Sequence, residues 1–166
     1  MSNAQFWHFW CGIVFFAIYL LLKQQVRQNR LFLHPLFLAI ALPMLYLGTA
    51  LADWHLRFLG IEGLRNPILH SAIPYLVLAF LWGKIGYHPT ADNLTGQRLV
   101  VGAHVGLAIG LGSHLILNIA LLNKLQWIPN AQLDRLWLAG NALMLGYAAW
   151  YPRYIPRPSV GMRRVG

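Results

Sequence analysis

Five long apolar runs divide this chain of 166 residues, and they constrain its fold more than any other feature. The runs cover residues 6–22, 31–52, 67–83, 99–123 and 136–151. Hydrophobic residues make up 58% of the chain and charged residues only 10%, whereas a typical soluble domain carries about 25% charged residues. Because a run of about 20 apolar residues crosses a bilayer as a helix, we expect an all-α polytopic membrane helix bundle with about five transmembrane helices.

The charges between the runs predict how this bundle is oriented. If the N-terminus is outside, nine of the 13 Lys and Arg residues fall on the inner side and four on the outer side. Loops that face the cytoplasm are enriched in Lys and Arg, so this distribution favours an N-out/C-in topology. It also accounts for the net charge of +9. We therefore expect membrane lipid, and not nucleic acid, to be the partner of the chain.

The apolar runs and the end of the chain differ in composition. Residues 1–151 are expected to form the helical bundle, and residues 152–166 a basic cytoplasmic tail that holds three prolines and four arginines. Such a tail is typical of an extended segment near anionic headgroups. The first run has no basic residue before it and no small-residue cleavage site after it, so we expect it to be a retained anchor.

Three polar clusters interrupt the apolar runs, and the N-out topology places all of them near the outer ends of their spans. The clusters are Asp53-Trp54-His55, His70-Ser71, and Ser113-His114 with Asn118. Ionisable side chains are costly inside a membrane, and where they occur they mark functional sites by default. Several such groups at one depth therefore predict a functional site at the outer face of the bundle.

The residue types in these clusters are those that bind a divalent metal ion. Imidazole and carboxylate groups together suit zinc, iron or manganese, and a catalytic zinc site needs about three protein ligands and one open position. We expect such a site, with zinc as the favoured metal. Its candidate ligands are Asp53, His55, His70, His114 and Asn118, with His8 at the outer end of the first run as a further candidate.

Three residues of the same regions are candidates for catalysis. Asp53 would act at the metal, and Arg65 would hold an anionic group of the substrate. Ser71 adjoins His70, although neighbouring residues on a helix do not face each other. The depth of these residues points to a lipid or lipid-linked ester or phosphoester as the substrate.

A stripe of small residues runs through the fourth apolar run. Gly102, Gly106 and Gly110 recur at steps of four, and His114 and Asn118 continue the series. Residues four apart share a slowly turning helix face, and glycines on such a face let another helix approach closely. The stripe therefore predicts a close helix partner, in the same chain or in a second copy, and turns His114 and Asn118 towards the interior of the bundle.

In this order, the clusters resemble segments of the YdjM-like (LexA-binding, inner-membrane-associated) family of small bacterial membrane proteins. That family shows an Asp-x-Asp-His segment, then His-Arg-Gly-x-Thr-His-Ser, then Gly-x-x-Ser-His-x-x-x-Asp. The resemblance covers residues 50–120 and rests on the His70-Ser71 and Ser113-His114 pairs and on Arg65 five positions before His70. The opening His8-x-x-x-Gly12 also resembles that family. The resemblance implies a membrane-embedded, metal-dependent hydrolase.

The chain also departs from the pattern of that family. One Asp of the first segment is absent, and Ala52 or His55 stands in its place. In the later segments, Leu64 replaces a His, Asn66 replaces a Gly and Asn118 replaces an Asp. Because a neutral amide is a poorer metal ligand than a carboxylate, these replacements bear directly on metal affinity.

Two other functions fit the same residues. A pair of histidines on different spans, such as His70 and His114, is typical of axial haem ligation in an electron-transfer protein. Alternatively, the polar cluster only holds helices together in a non-catalytic assembly or interaction protein, which the glycine stripe also favours.

Overall fold

The computed structural model describes residues 3–27, 30–54, 68–84, 94–121 and 130–151. These residues form α-helices and no strand, which confirms the all-α class. The helices are α1 (Asn3–Arg27), α2 (Pro35–Leu51), α3 (Ile73–Lys84), α4 (Leu94–Leu121) and α5 (Ala131–Trp150), with a 3₁₀ turn at Arg30–Leu33. The predicted tail, residues 152–166, lies outside the described residues.

Local side-chain hydrogen bonds determine where two of these helices begin. Pro35 occupies the first position of α2, and Nδ1 of His34 accepts a hydrogen bond from the Leu36 amide at 3.2 Å. The α-helix of the second apolar run therefore begins at Pro35, after the 3₁₀ turn at Arg30–Leu33. At the start of α5, the side chain of Asn130 caps the helix by accepting two backbone N–H groups.

The third apolar run begins its helix later than the sequence predicts. Pro67 is the expected start of the span, with His70-Ser71 in its first turn, but α3 starts at Ile73. Pro74 favours the later start, because a helix that began at Pro67 would place this proline in its interior and lose a hydrogen bond to the carbonyl of His70. His70 and Ser71 therefore lie in an irregular turn before α3.

The most extensive contact between helices joins α2 and α4, and the glycine stripe forms it. A Cβ atom added at Gly102, Gly106 or Gly110 would lie 2.8, 2.2 or 2.2 Å from the backbone oxygen of Phe37, Ala41 or Leu45, respectively. The residue numbers on α2 rise in the same direction as those of the glycines on α4, so α2 and α4 run parallel. The close partner of the stripe is therefore a helix of the same chain.

The other contacts give the bundle two distinct ends. His8 of α1 lies beside His114 of α4, and we call this the upper end. At the opposite, lower end, Lys23 of α1 is fully buried, donates a hydrogen bond to the Trp150 carbonyl and lies 4.1 Å from the centre of the Trp150 indole. The Tyr19 hydroxyl donates to the Ala149 carbonyl at 2.9 Å beside it. α1 is therefore fixed to α4 above and to α5 below.

Two of the helices are long and apolar enough to cross a membrane. They contain the windows Phe6–Lys23 in α1 and Thr95–Ala120 in α4. α2 and α3 are apolar but shorter, with 17 and 12 residues, and 12 helical residues extend only about 18 Å. Large side chains nevertheless remain exposed on the outer faces of the bundle, among them Phe80 (63%) and Leu143 (75%).

Candidate metal centre

His114 lies at the middle of the polar cluster. It belongs to α4 and is fully buried, and the ring of His8 stacks on it with centroids 4.0 Å apart and planes inclined by 19°. Gly12, one turn below His8 on the same face of α1, allows this contact. A Cβ at Gly12 would lie 3.2 Å from both Ser113 Oγ and Thr49 Cγ2, so only a glycine lets α1 come this close without a shift of its neighbours.

The carboxylate of Asp53 lies beside His114. It follows α2 in a turn in which its own amide donates to the Ala50 carbonyl at 3.1 Å. Its Oδ1 lies 3.7 Å from His114 Nε2, and its side chain is 19% exposed. The C-terminal end of a helix carries a partial negative charge that disfavours a carboxylate. A positive charge beside Asp53 would therefore stabilise this arrangement.

His70 completes the cluster from the turn before α3. Its Nε2 lies 4.0 Å from Asp53 Oδ1, and its ring centroid lies 5.3 Å from that of His114. Hydrogen bonds from two side chains stabilise this turn. Ser71 Oγ donates to the Ile68 carbonyl at 2.6 Å and accepts the Ile73 amide at 3.1 Å, which bridges the turn to the start of α3.

The second of these side chains is Asn141, whose hydrogen bond connects the turn to α5. Its Oδ1 accepts the Ala72 amide at 2.8 Å, and its Nδ2 donates to the Trp137 carbonyl at 2.8 Å. The sequence places Asn141 in the outer half of the fifth apolar run but gives it no role in the site. The available signal is a polar amide within the apolar run 136–151, but the sequence does not show that it faces the turn that carries His70.

Three of these side chains could hold a metal ion. His8, Asp53 and His114 each offer a ligand atom, and these atoms all lie within 4.8 Å of one another. A zinc ion binds nitrogen and oxygen donors at about 2.0–2.2 Å, so the three side chains would have to turn their ligand atoms towards a common point to bind one ion. His8 Nδ1 is buried and has no hydrogen-bond partner among the described residues. A buried nitrogen without a partner is costly, and metal coordination would remove that cost.

The predicted site residues differ in where the structure places them. Asp53, His70 and His114 lie together, and His8, only a further candidate in the sequence, joins them. Asn118 is half-buried one turn beyond His114, and its role as a ligand stays a prediction. His55 and Arg65 lie outside the described residues. The Ser71 hydroxyl is engaged by the backbone of its own turn, which gives it a role in positioning His70.

Comparisons with protein-family models, with curated proteins and with solved structures find no match to this chain. The resemblance to the YdjM-like family therefore stays a prediction, and the function of the cluster has to be inferred from its own residues and their geometry.

Proposed function

We propose that the chain is an integral membrane, metal-dependent hydrolase of a lipid or lipid-linked ester or phosphoester. The observation that carries this proposal is the meeting of His8, Asp53 and His114, whose ligand atoms lie within 4.8 Å of one another between α1, α2 and α4. Two imidazoles and one carboxylate form a ligand set that leaves a position open for water on zinc, the metal we favour. When bound, such an ion lowers the pKa of its water and polarises the bond to be cleaved.

Two other residues would orient the ligands and bind the substrate. His70, beside Asp53, would hold that carboxylate in its orientation, as partners of metal-ligating groups commonly do. One carboxylate and one divalent cation leave a net positive charge, which favours an anionic group such as a phosphate. Arg65, predicted to bind an anion, would add to that preference.

The position of the cluster supports a substrate in the membrane. His8 stands near the beginning of the apolar window Phe6–Lys23, and His114 six residues before the end of the window Thr95–Ala120. In the proposed bundle, five helices cross or enter the bilayer with the N-terminus outside, and the cluster lies near the outer surface of the membrane. Exposed apolar side chains such as Leu143 also favour a lipid environment, because water disfavours large apolar patches.

The spacing of the rings favours a single ion over a haem. Two axial histidines bind haem iron from opposite faces of the macrocycle, so the macrocycle must pass between their rings. The His8 and His114 rings are stacked at 4.0 Å, and the His70 and His114 centroids are 5.3 Å apart. No macrocycle passes between rings this close, whereas a single ion would need only the in-plane nitrogens of the imidazoles to turn towards a common point.

The test is hydrolysis by purified, zinc-loaded protein in vesicles that contain ester and phosphoester lipids, with products measured by mass spectrometry. We expect the wild type to release product and His114→Asn to fall to the background rate. His104→Asn is the matched control, because His104 is also buried on α4 but contacts Tyr75 and Trp82 instead of the cluster. Equal rates in His114→Asn and the wild type would overturn the proposal, as would absence of product from every lipid.

A further inference from the structure

An apolar groove lies between α1 and α5 on the surface of α4. α1 and α5 both pack against α4 but meet each other mainly at their lower ends. The groove encloses about 200 Å³, and an apolar cavity of about 150 Å³ is already large enough for benzene. Small residues on α4 and α5 create the space, notably Gly112, Ala142 and Gly146.

The groove and the polar cluster share one face of α1. His8 and Gly12 lie against α4 at the upper end, and Phe15, Tyr19 and Leu22 line the groove below them. These positions are separated by steps of four, three, four and three residues, which keeps them on a single helix face. The groove therefore continues downwards from the polar cluster along the same surface.

The other walls of the groove support this continuity. On α4, Ser113 lines the groove and directly precedes His114. The Ser113 hydroxyl donates to the Gly110 carbonyl at 2.9 Å, so this polar group of the groove wall is already engaged. At the lower end, Trp150 lines the groove and is held by Lys23. The lining is thus mainly apolar from the polar cluster to the lower end, where hydrogen bonds join α1 to α5.

We propose that this groove binds one acyl chain of the lipid whose ester or phosphoester group lies at the His8–Asp53–His114 cluster. The position of the polar lipid group at the cluster rests on the proposed function. The binding of the acyl chain rests on the groove itself. The distance from Phe15 to Leu22 is about 10 Å along α1, so the groove accepts a chain of several methylene groups.

Two glycines of α5 offer a matched pair of variants. A Cβ atom at Gly146 or at Gly140 would meet no atom within 4 Å, and both positions are exposed. Gly146 lines the groove and Gly140 does not. Gly146→Leu therefore fills part of the groove, while Gly140→Leu adds the same side chain to the same helix elsewhere. We expect equal thermal unfolding temperatures for the two variants.

The experiment uses the full chain in phosphatidylglycerol nanodiscs that contain a small fraction of a phospholipid with a photoreactive diazirine in its acyl chain. Labelling at groove residues such as Phe15 and Ile109 is compared by mass spectrometry with labelling at Leu143, which faces outwards. We expect groove labelling in the wild type and in Gly140→Leu to saturate as the probe fraction rises. Gly146→Leu should lower it several-fold without changing labelling at Leu143.

The outcomes separate this inference from the proposed function. Groove labelling that rises linearly with the probe, as at Leu143, or that is unchanged in Gly146→Leu, overturns the acyl-chain site. Bound zinc is measured in the same samples. If the wild type holds no zinc while Gly146→Leu still lowers groove labelling, the hydrolase proposal fails and the acyl-chain site stands.

Discussion

At the scale of single residues, three side chains of the cluster could bind a metal ion, and other side chains position them. His8, Asp53 and His114 place their ligand atoms within 4.8 Å of one another. His70 lies beside Asp53 in a turn that Asn141 ties to α5. The sequence predicts Asp53, His70 and His114 from their common depth, because loop charges alone assign each to the same end of its span. It does not predict which of them touch, since that depends on how the helices rotate and pack.

His70→Ala tests this division of roles. If His70 orients Asp53 and does not bind the ion, the substitution should weaken metal affinity by about 10–100-fold, the usual effect of losing a partner of a metal ligand. The measurement is a competition titration with a chromophoric chelator on detergent-solubilised protein. Loss of binding as complete as in His114→Ala would instead make His70 a direct ligand, and His104→Ala should leave the affinity unchanged.

At the scale of helices, α2 and α4 make a close parallel contact along the glycine stripe, below His114. Spacing alone predicts a close helix contact at the glycine stripe, but not its partner, because an α-helix of the same chain and one of a second copy satisfy the same pattern. The structure identifies α2 as that partner. The predicted start of α3 is too early because Pro67 and Pro74 are both acceptable first-turn residues, and only one of them can begin the helix.

Gly106→Ala tests the contact of α2 with α4. The added Cβ would lie 2.2 Å from the Ala41 backbone oxygen, so the two helices must move apart. Overpacking of this kind costs about 1–3 kcal/mol, and we expect a lower unfolding temperature in detergent. Gly140→Ala is the control, because its Cβ meets nothing within 4 Å and should leave the temperature equal or slightly higher. Equal temperatures for the two variants would contradict the close contact.

At the scale of the whole molecule, the polar cluster lies at one end of the bundle, and the apolar groove extends from it towards the other end. Apolar runs and loop charges predict an all-α bundle whose polar residues gather at one end. They do not predict the groove, which exists because α1 and α5 meet mainly at Lys23, Tyr19 and their partners on α5. Burial of Lys23 also runs against its expected place at the aqueous inner surface, and the Trp150 indole and carbonyl account for it.

The metal content of the purified protein decides whether the cluster is a metal centre. It is measured by inductively coupled plasma mass spectrometry after extraction without chelators. We expect one zinc or other divalent transition metal per chain in the wild type and in His104→Asn. His8→Asn and His114→Asn should each lose it while remaining folded by circular dichroism. A wild type without stoichiometric metal, even after incubation with zinc, would contradict the metal centre and leave the cluster as a contact that holds the helices together.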